Sequence, residues 1–439
     1  MKVVFSMAAV AGVLYGFGVG TVVAVATPYL ERTCQFTPVQ MSTIVAAAMI
    51  ASGVTTFLGG PMAELWGRRR SITWAAFGYA LGTPLICFSG GSYALIVCGL
   101  AIQGLAMGQH GVVVPLYLAE VLPPDVRGRG AGVFQMCIIG GILVSGLVGL
   151  AAAYAFGVAD AASTSTETCA LAWKCIFAVV AVPALALFAM GWFLPESPTW
   201  LAERSNAPKK GVCREVAAGS PDGGSLLRRR YVVPFLVVVA LLSCQQGMGM
   251  NSMLGYSVKI FGASGLVGAF ANWADLSFKL VMLVMTAIAC VLVDRKGRRF
   301  LLRIGTAGCA IGLVGIVATF FAIDHGLVRA SSASGIMVTA CTTVFVAAYA
   351  LGPGVCVWLV MTELLPSRIR AVGLGAALLF DYGISAGLQS VFLPFTQRFG
   401  FWPFFAIMAS AAVAYFMLST FFIPETKGKT LEEIEEYFK

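Results

Sequence analysis

Carboxylates and guanidiniums recur in this chain at matched positions, and their pairing is the first chemistry its residues suggest. Glu64 stands ahead of Gly67-Arg68-Arg69, and Asp294 ahead of Gly297-Arg298-Arg299. Glu120 leads Pro123 and Arg127, as Glu363 leads Pro366 and Arg370. Pro195-Glu196-Ser197 returns as Pro424-Glu425-Thr426. The order is the same each time, and the second copy comes about half a chain length after the first. A carboxylate and a guanidinium brought together form charge-assisted, often bidentate hydrogen bonds. At one face of a helical bundle such bonds can latch two bodies together and release when that face opens. Basic loops that merely anchor a topology need no acids, so the recurring acids favour a latch.

The elements that must carry these groups lie in a membrane. The 439-residue chain is 59% hydrophobic and 11% charged, against roughly 25% charged for a soluble domain. Apolar runs of about 20 residues, each enough for a bilayer core of ~30 Å, recur throughout. Twelve are expected, near 4–28, 41–63, 71–90, 93–119, 130–154, 171–194, 231–257, 266–292, 301–323, 333–361, 371–393 and 401–423. Only helices and closed barrels satisfy the backbone in lipid, and no alternating ten-residue strands are present, so the fold class is all-α and polytopic. The duplicated motifs divide it into two six-helix halves, 1–194 and 231–423. A connecting loop, 195–230, joins them, and a tail, 424–439, follows. Duplicated halves related by an axis along the membrane normal are a transporter architecture, with a site between the halves near midplane.

Of the 29 Lys and Arg, all but Arg32, Lys174, Lys259, Lys279, Arg329 and Arg398 fall on the side of the N-terminus. This bias predicts both termini to be cytoplasmic, with the plasma membrane as the expected location. The net charge of +9 then reflects topology and contact with the lipid bilayer, and nucleic acid is not an expected partner. Twelve Cys show no metal-ligand spacing, and two His give no metal site, so no metal and no cofactor are expected. Cys34 and Cys169 both fall in expected external loops, where a disulfide is open to them. No nucleophile with a partnered base and no phosphate-binding loop is present, which argues against an enzyme or an ATP-driven pump.

Taken together, the motifs resemble the sugar porter family of the major facilitator superfamily over essentially the whole chain. Beside the two Gly-Arg-Arg turns stand Pro195-Glu196-Ser197-Pro198 and Pro424-Glu425-Thr426-Lys427-Gly428. Gln245-Gln246 with Gly249 and Asn251 marks the seventh helix, and Gly352-Pro353-Gly354 with Trp358 the tenth. The resemblance implies a sugar site made of Gln135, Gln245, Gln246, Asn251, Trp358 and Asp381. Residue chemistry agrees, because sugar hydroxyls and side-chain amides both donate and accept hydrogen bonds. An aromatic face also suits the apolar side of the ring. Gln245 and Gln246 do not align with Asn251 on a regular helix, so a break is expected near Gly247 and Gly249.

Departures from the family pattern bear on mechanism. Proton-coupled members are expected to carry an acid in the first helix near an Arg in the fourth; here Gly16 and Leu100 are read at those places. Joint loss of both charges favours facilitated diffusion of a hexose or related polyol. Asp381 keeps a proton-coupled alternative open, and a non-transporting sugar sensor is a third reading. The family's eighth-helix Asn falls near Met282, and the acidic position before Gly-Pro-Gly is Ala350. Asp275 and Lys279, four residues apart, are expected to form an entrance salt bridge near the outer end of the eighth helix.

Overall fold

A computed structural model describes residues 2–157, 164–206, 229–365 and 370–423. Most of the connecting loop, Glu425 with its tail, and the side chains of Arg127, Asp294 and Arg370 lie outside what is described.

All the expected spans are helical. The first is α1 (Lys2–Gly16), a π-helical turn (Phe17–Thr21) and α2 (Val22–Cys34). The second to fifth are α3 (Pro38–Trp66), α4 (Arg68–Cys87), α5 (Tyr93–Val121) and α6 (Pro124–Phe156). The sixth is α7 (Thr166–Ala178) with α8 (Ala181–Gly191), followed by a short α9 (Pro198–Asn206). The seventh is α10 (Arg229–Gly247) with α11 (Met250–Ala263); the eighth and ninth are α12 (Phe270–Lys296) and α13 (Arg298–Asp324). The tenth is α14 (Ser332–Leu351) with α15 (Pro353–Leu364), and α16 (Arg370–Phe399) and α17 (Trp402–Phe421) complete the set. Among the described residues, eleven spans are long and apolar enough to cross a bilayer on length and composition. The third, α4, falls short because Arg70, Tyr79 and its Thr and Pro residues lower its hydropathy.

Packing repeats the sequence duplication. Within the first half, spans 1 and 5, 2 and 4, 3 and 4, and 3 and 6 pack together. In the second half, 7 and 11, 8 and 10, 9 and 10, and 9 and 12 do the same, six spans further on. Two seams join the halves: span 2 lies along span 11, and span 5 along span 8. Small residues let backbones within a half approach, as where span 4 meets span 2. A Cβ on Gly104 would sit 2.2 Å from the Ala48 carbonyl oxygen, and one on Gly108 would sit 2.3 Å from that of Ser52.

The charged motifs share one face, where α1, α6, α10 and α16 begin. On the opposite face the halves meet. Lys259 of α11 donates to Glu31 of α2, and Trp273 Nε1 of α12 donates to Tyr154 of α6 at 3.1 Å. Deeper, the backbone N–H of Leu393 reaches Ser42 Oγ at 3.2 Å. At mid-depth the Tyr15 and Tyr382 hydroxyls lie 3.0 Å apart across the halves. Cys34 and Cys169 are not joined by a disulfide; Cys169 is buried within α7.

Candidate functional site

The seventh span breaks where its glycines fall. Gly249 has φ +74 and ψ 27, left-handed backbone that a residue with a Cβ adopts only at a cost. Its N–H returns to the Gln246 carbonyl at 2.8 Å, and its own carbonyl takes the Met253 N–H at 2.8 Å, starting α11. The turn brings Gln246 and Asn251 onto one side despite their five-residue spacing. Asn251 Nδ2 donates to Gln246 Oε1 at 3.0 Å and to Ser385 Oγ at 2.9 Å. Gln246 Nε2 donates to Asp381 Oδ2 at 3.0 Å. Gln245 turns the other way and donates to the Tyr349 hydroxyl at 2.7 Å.

Four of the six residues named from the sequence are thus held in two connected pieces of polar structure. Gln246, Asn251 and Asp381 form one network with Ser385, while Gln245 joins the tenth span. Asp381 is 2% exposed, and its Oδ1, like Gln245 Oε1, is buried with no hydrogen-bond partner among the described residues. Open acceptors of this kind are what an incoming hydroxyl donor would satisfy. Gln135 sits half-buried on α6, apart from the network. Trp358 lies on α15, 39% exposed, beyond the break at Gly352. A Cβ on Gly352 would meet the Leu301 carbonyl oxygen at 2.4 Å.

Sequence reasoning missed Ser385, Gln389, Tyr349 and the Tyr15–Tyr382 contact. A signal existed for two of them. Asp381, Ser385 and Gln389 are spaced by four and so line one face of α16. Gln389 Nε2 donates to Ser385 at 3.4 Å, extending the polar stripe away from the motif face.

The charged motifs assemble half by half. Arg68 holds Glu120 with two bonds, Nε to Oε2 at 3.0 Å and Nη2 to Oε1 at 2.9 Å. Arg298 approaches Glu363 at 3.5 Å. Each pair ties the turn between two spans to the next span of the same half. Glu196 has a separate role. Its Oε1 accepts the backbone N–H of Arg69 at 3.0 Å, placing an anion at the N-terminus of α4. A Cβ on Gly67, whose φ is +94, would come 2.6 Å from Glu196 Oε2. Arg69 in turn donates to the Gly191 and Trp192 carbonyls at 3.1 and 2.6 Å. Its counterpart Arg299 donates to the Thr420 carbonyl. Glu64 contributes its backbone carbonyl, which takes Trp200 Nε1 at 2.7 Å.

Two expectations are corrected. Gly16 does not face Leu100: a Cβ there would lie 2.2 Å from the Ile138 carbonyl oxygen, so Gly16 serves the packing of span 1 on span 5. Gly18, two residues on and inside the π-helical turn, lines a small cavity together with Leu100, Tyr79 and Gln103. Among the described residues, no carboxylate or guanidinium lines that cavity. Nor is the Asp275–Lys279 pair an exposed entrance bridge. The two side chains lie 2.7 Å apart and are 1% and 0% exposed, because α6 and α11 close over them. A separate cavity of about 440 Å³ lies on the opposite face, walled by Glu31, Lys259 and Asn272 among others.

Such an arrangement is a membrane bundle of two repeated halves with a buried polar network near mid-depth, and comparison with known proteins agrees. The family described as "Sugar (and other) transporter" matches residues 4–438. The chain belongs to that family. Among its sugar-transporter relatives is the glucose transporter GlcP of Staphylococcus epidermidis, 28% identical over 98% of this chain and 96% of that protein. The arabinose-proton symporter of Escherichia coli K12 is 26% identical over 98% of this chain and 91% of that protein. A solved structure, the inward-open xylose transporter XylE from E. coli, superimposes with a TM-score of 0.79 at 23% identity, covering 99% of both chains. The fold is therefore that of the major facilitator superfamily, and the protein is a membrane transporter, not an enzyme.

Proposed function

We propose that this sugar transporter moves a hexose or related polyol down its gradient by alternating access. The observation that carries the reading is the network of Gln246, Asn251, Asp381 and Ser385 beside a broken helix. Amides that donate and accept, with unsatisfied acceptors beside them, suit a ligand whose every hydroxyl does both. Gln135 and Trp358 complete the proposed site from spans 5 and 10, with Gln245 shaping it through Tyr349.

On this reading the motif face is cytoplasmic, with both termini inside, in the plasma membrane. The contacts between halves on the opposite face close the outer entrance. Arg68–Glu120 and Arg298–Glu363 keep each half rigid. Together with Arg69, Glu196 and Arg299, and with Glu64, Arg127, Asp294, Arg370 and Glu425 as further members, they form the inner latch when that side closes. Uniport is supported by the uncharged cavity between Gly18 and Leu100, where no acid–base pair exists to bind and release a proton.

One observation favours a second reading. Asp381 Oδ1 is buried without a partner, and one relative is named an arabinose-proton symporter. An intramembrane carboxyl with an open oxygen is a candidate proton carrier. Uptake of labelled hexoses, pentoses and polyols by reconstituted vesicles, with and without an acid-outside gradient, separates the readings. Equilibration alone supports the uniporter. Accumulation that disappears in Asp381→Asn, while exchange persists, supports the symporter.

A further inference from the structure

We propose that Lys279 is a tethered cation, its ammonium occupying an oxygen-lined site at the seam of the two halves so that the carrier cycles without a dissociable ion. This rests on the uniport reading and deepens it. Lys279 Nζ lies 2.7 Å from Asp275 Oδ2, one helical turn away on α12. Ser257 of α11 donates its hydroxyl to the other carboxylate oxygen, Oδ1. Ser145 of α6, from the opposite half, presents Oγ 3.5 Å from the ammonium. That hydroxyl already donates to the Ile142 carbonyl at 2.7 Å, so a lone pair is what it turns toward Lys279. Span 5 closes over the pair at Gly146, where a Cβ would lie 3.2 Å from both Asp275 Oδ2 and Lys279 Cδ.

Three spans from both halves therefore meet here: Asp275 Oδ2 and Ser145 Oγ face the positive charge, and Ser257 holds the other carboxylate oxygen. Hard oxygen donors of this kind are what small cations bind. Among the described residues, Ser257 and Ser145 are the polar groups that face the pair from α11 and α6, and the Phe278 ring centre lies 6.0 Å from Nζ. A lone carboxylate in this apolar seam is too costly to persist, so a cation must accompany it. An ion that binds on one side and leaves on the other ties the conformational cycle to its gradient. An ammonium fixed to the chain neutralises Asp275 in every state and carries no such linkage.

Removing the tether tests this. In Lys279→Ala, Asp275 must recruit a sodium ion or a proton. The unfolding temperature of the purified variant is expected to rise when sodium replaces choline, if the site takes a metal cation, or on acidification in choline, if it takes a proton. In vesicles, exchange of labelled glucose or xylose should fall about tenfold or more in sodium-free neutral buffer and recover with the same cation. Adding Asp275→Asn should abolish the dependence. The unaltered protein should show no such sodium or acid stabilisation. Lys279→Ala with equal stability in choline, sodium and acid would overturn the proposal, as would sodium stabilisation of the unaltered protein. If Lys279→Ala does not reach the membrane, Asp275→Asn/Lys279→Met, which removes both charges, must still fold and exchange sugar independently of cations. Its failure to fold would make the pair a folding requirement and reject the proposal. The thermal measurements need no sugar. A cation-stabilised variant of a chain that moves no glucose, xylose or other tested sugar would leave this site standing and defeat the transport reading instead.

Discussion

Gln246 joins Asn251 to Asp381 in the proposed site, donating to Asp381 and accepting from Asn251. Replacing it with Leu removes both bonds and leaves Asp381 buried with neither oxygen satisfied. Losing a hydrogen bond to a buried charged group costs about 1.5–3 kcal/mol, so sugar affinity should fall roughly ten- to hundredfold. Uptake kinetics compared with the amount of protein in the membrane check this; unchanged affinity would remove Gln246 from the site. At Arg68 the same reasoning concerns stability. Arg68→Ala leaves Glu120, 13% exposed, without its bidentate partner. The expected loss is about 2–4 kcal/mol of unfolding free energy, and Arg68→Met/Glu120→Leu should recover much of it. Thermal unfolding in detergent reads both.

Among the elements, the seventh span depends on its break. Gly249→Val would force a β-branched residue into left-handed backbone and bring its Cβ within 2.2 Å of Met408 Cε. A cost of at least about 1–3 kcal/mol follows from the backbone alone, and the Gln246–Asn251 contact should be lost with it. Reduced yield of folded protein, with weakened transport in what remains, is the expected outcome. The break was legible in the sequence because two glycines interrupt a polar set that no regular helix aligns. The twelve spans and the halves were legible too, since length, apolarity and duplication are one-dimensional. Depth and facing were not. Asp275 and Lys279 revealed their pairing through their spacing, but nothing in the chain says that Gly146 and Ser257 from other spans will cover them. Gly16 and Gly18 differ by half a turn; Gly18, within the π-helical turn at Phe17–Thr21, is the one that lines the cavity beside Leu100. Glu196 is one of the recurring motif acids. Its position at the N-terminus of α4 follows only from how span 6 returns to the turn between spans 2 and 3.

Across the whole molecule, the two halves meet along spans 2–11 and 5–8 and are held on the opposite face by Glu31 and Lys259. Alternating access requires that ion pair to part as the motif face closes. Glu31→Gln should therefore shift the population toward the state open on that face, read as faster labelling of a cysteine placed beside Asn272; unchanged labelling would leave the pair without a gating role. On the uniport reading, a sugar crosses this bundle without the help of a second gradient. The most direct measurement is the final internal concentration of a labelled, transported sugar in vesicles holding the purified protein under an imposed acid-outside gradient. Internal sugar should rise to the external level and stop there, with and without the gradient. Internal sugar held above the external level, and collapsing when a protonophore is added, would contradict the uniport reading.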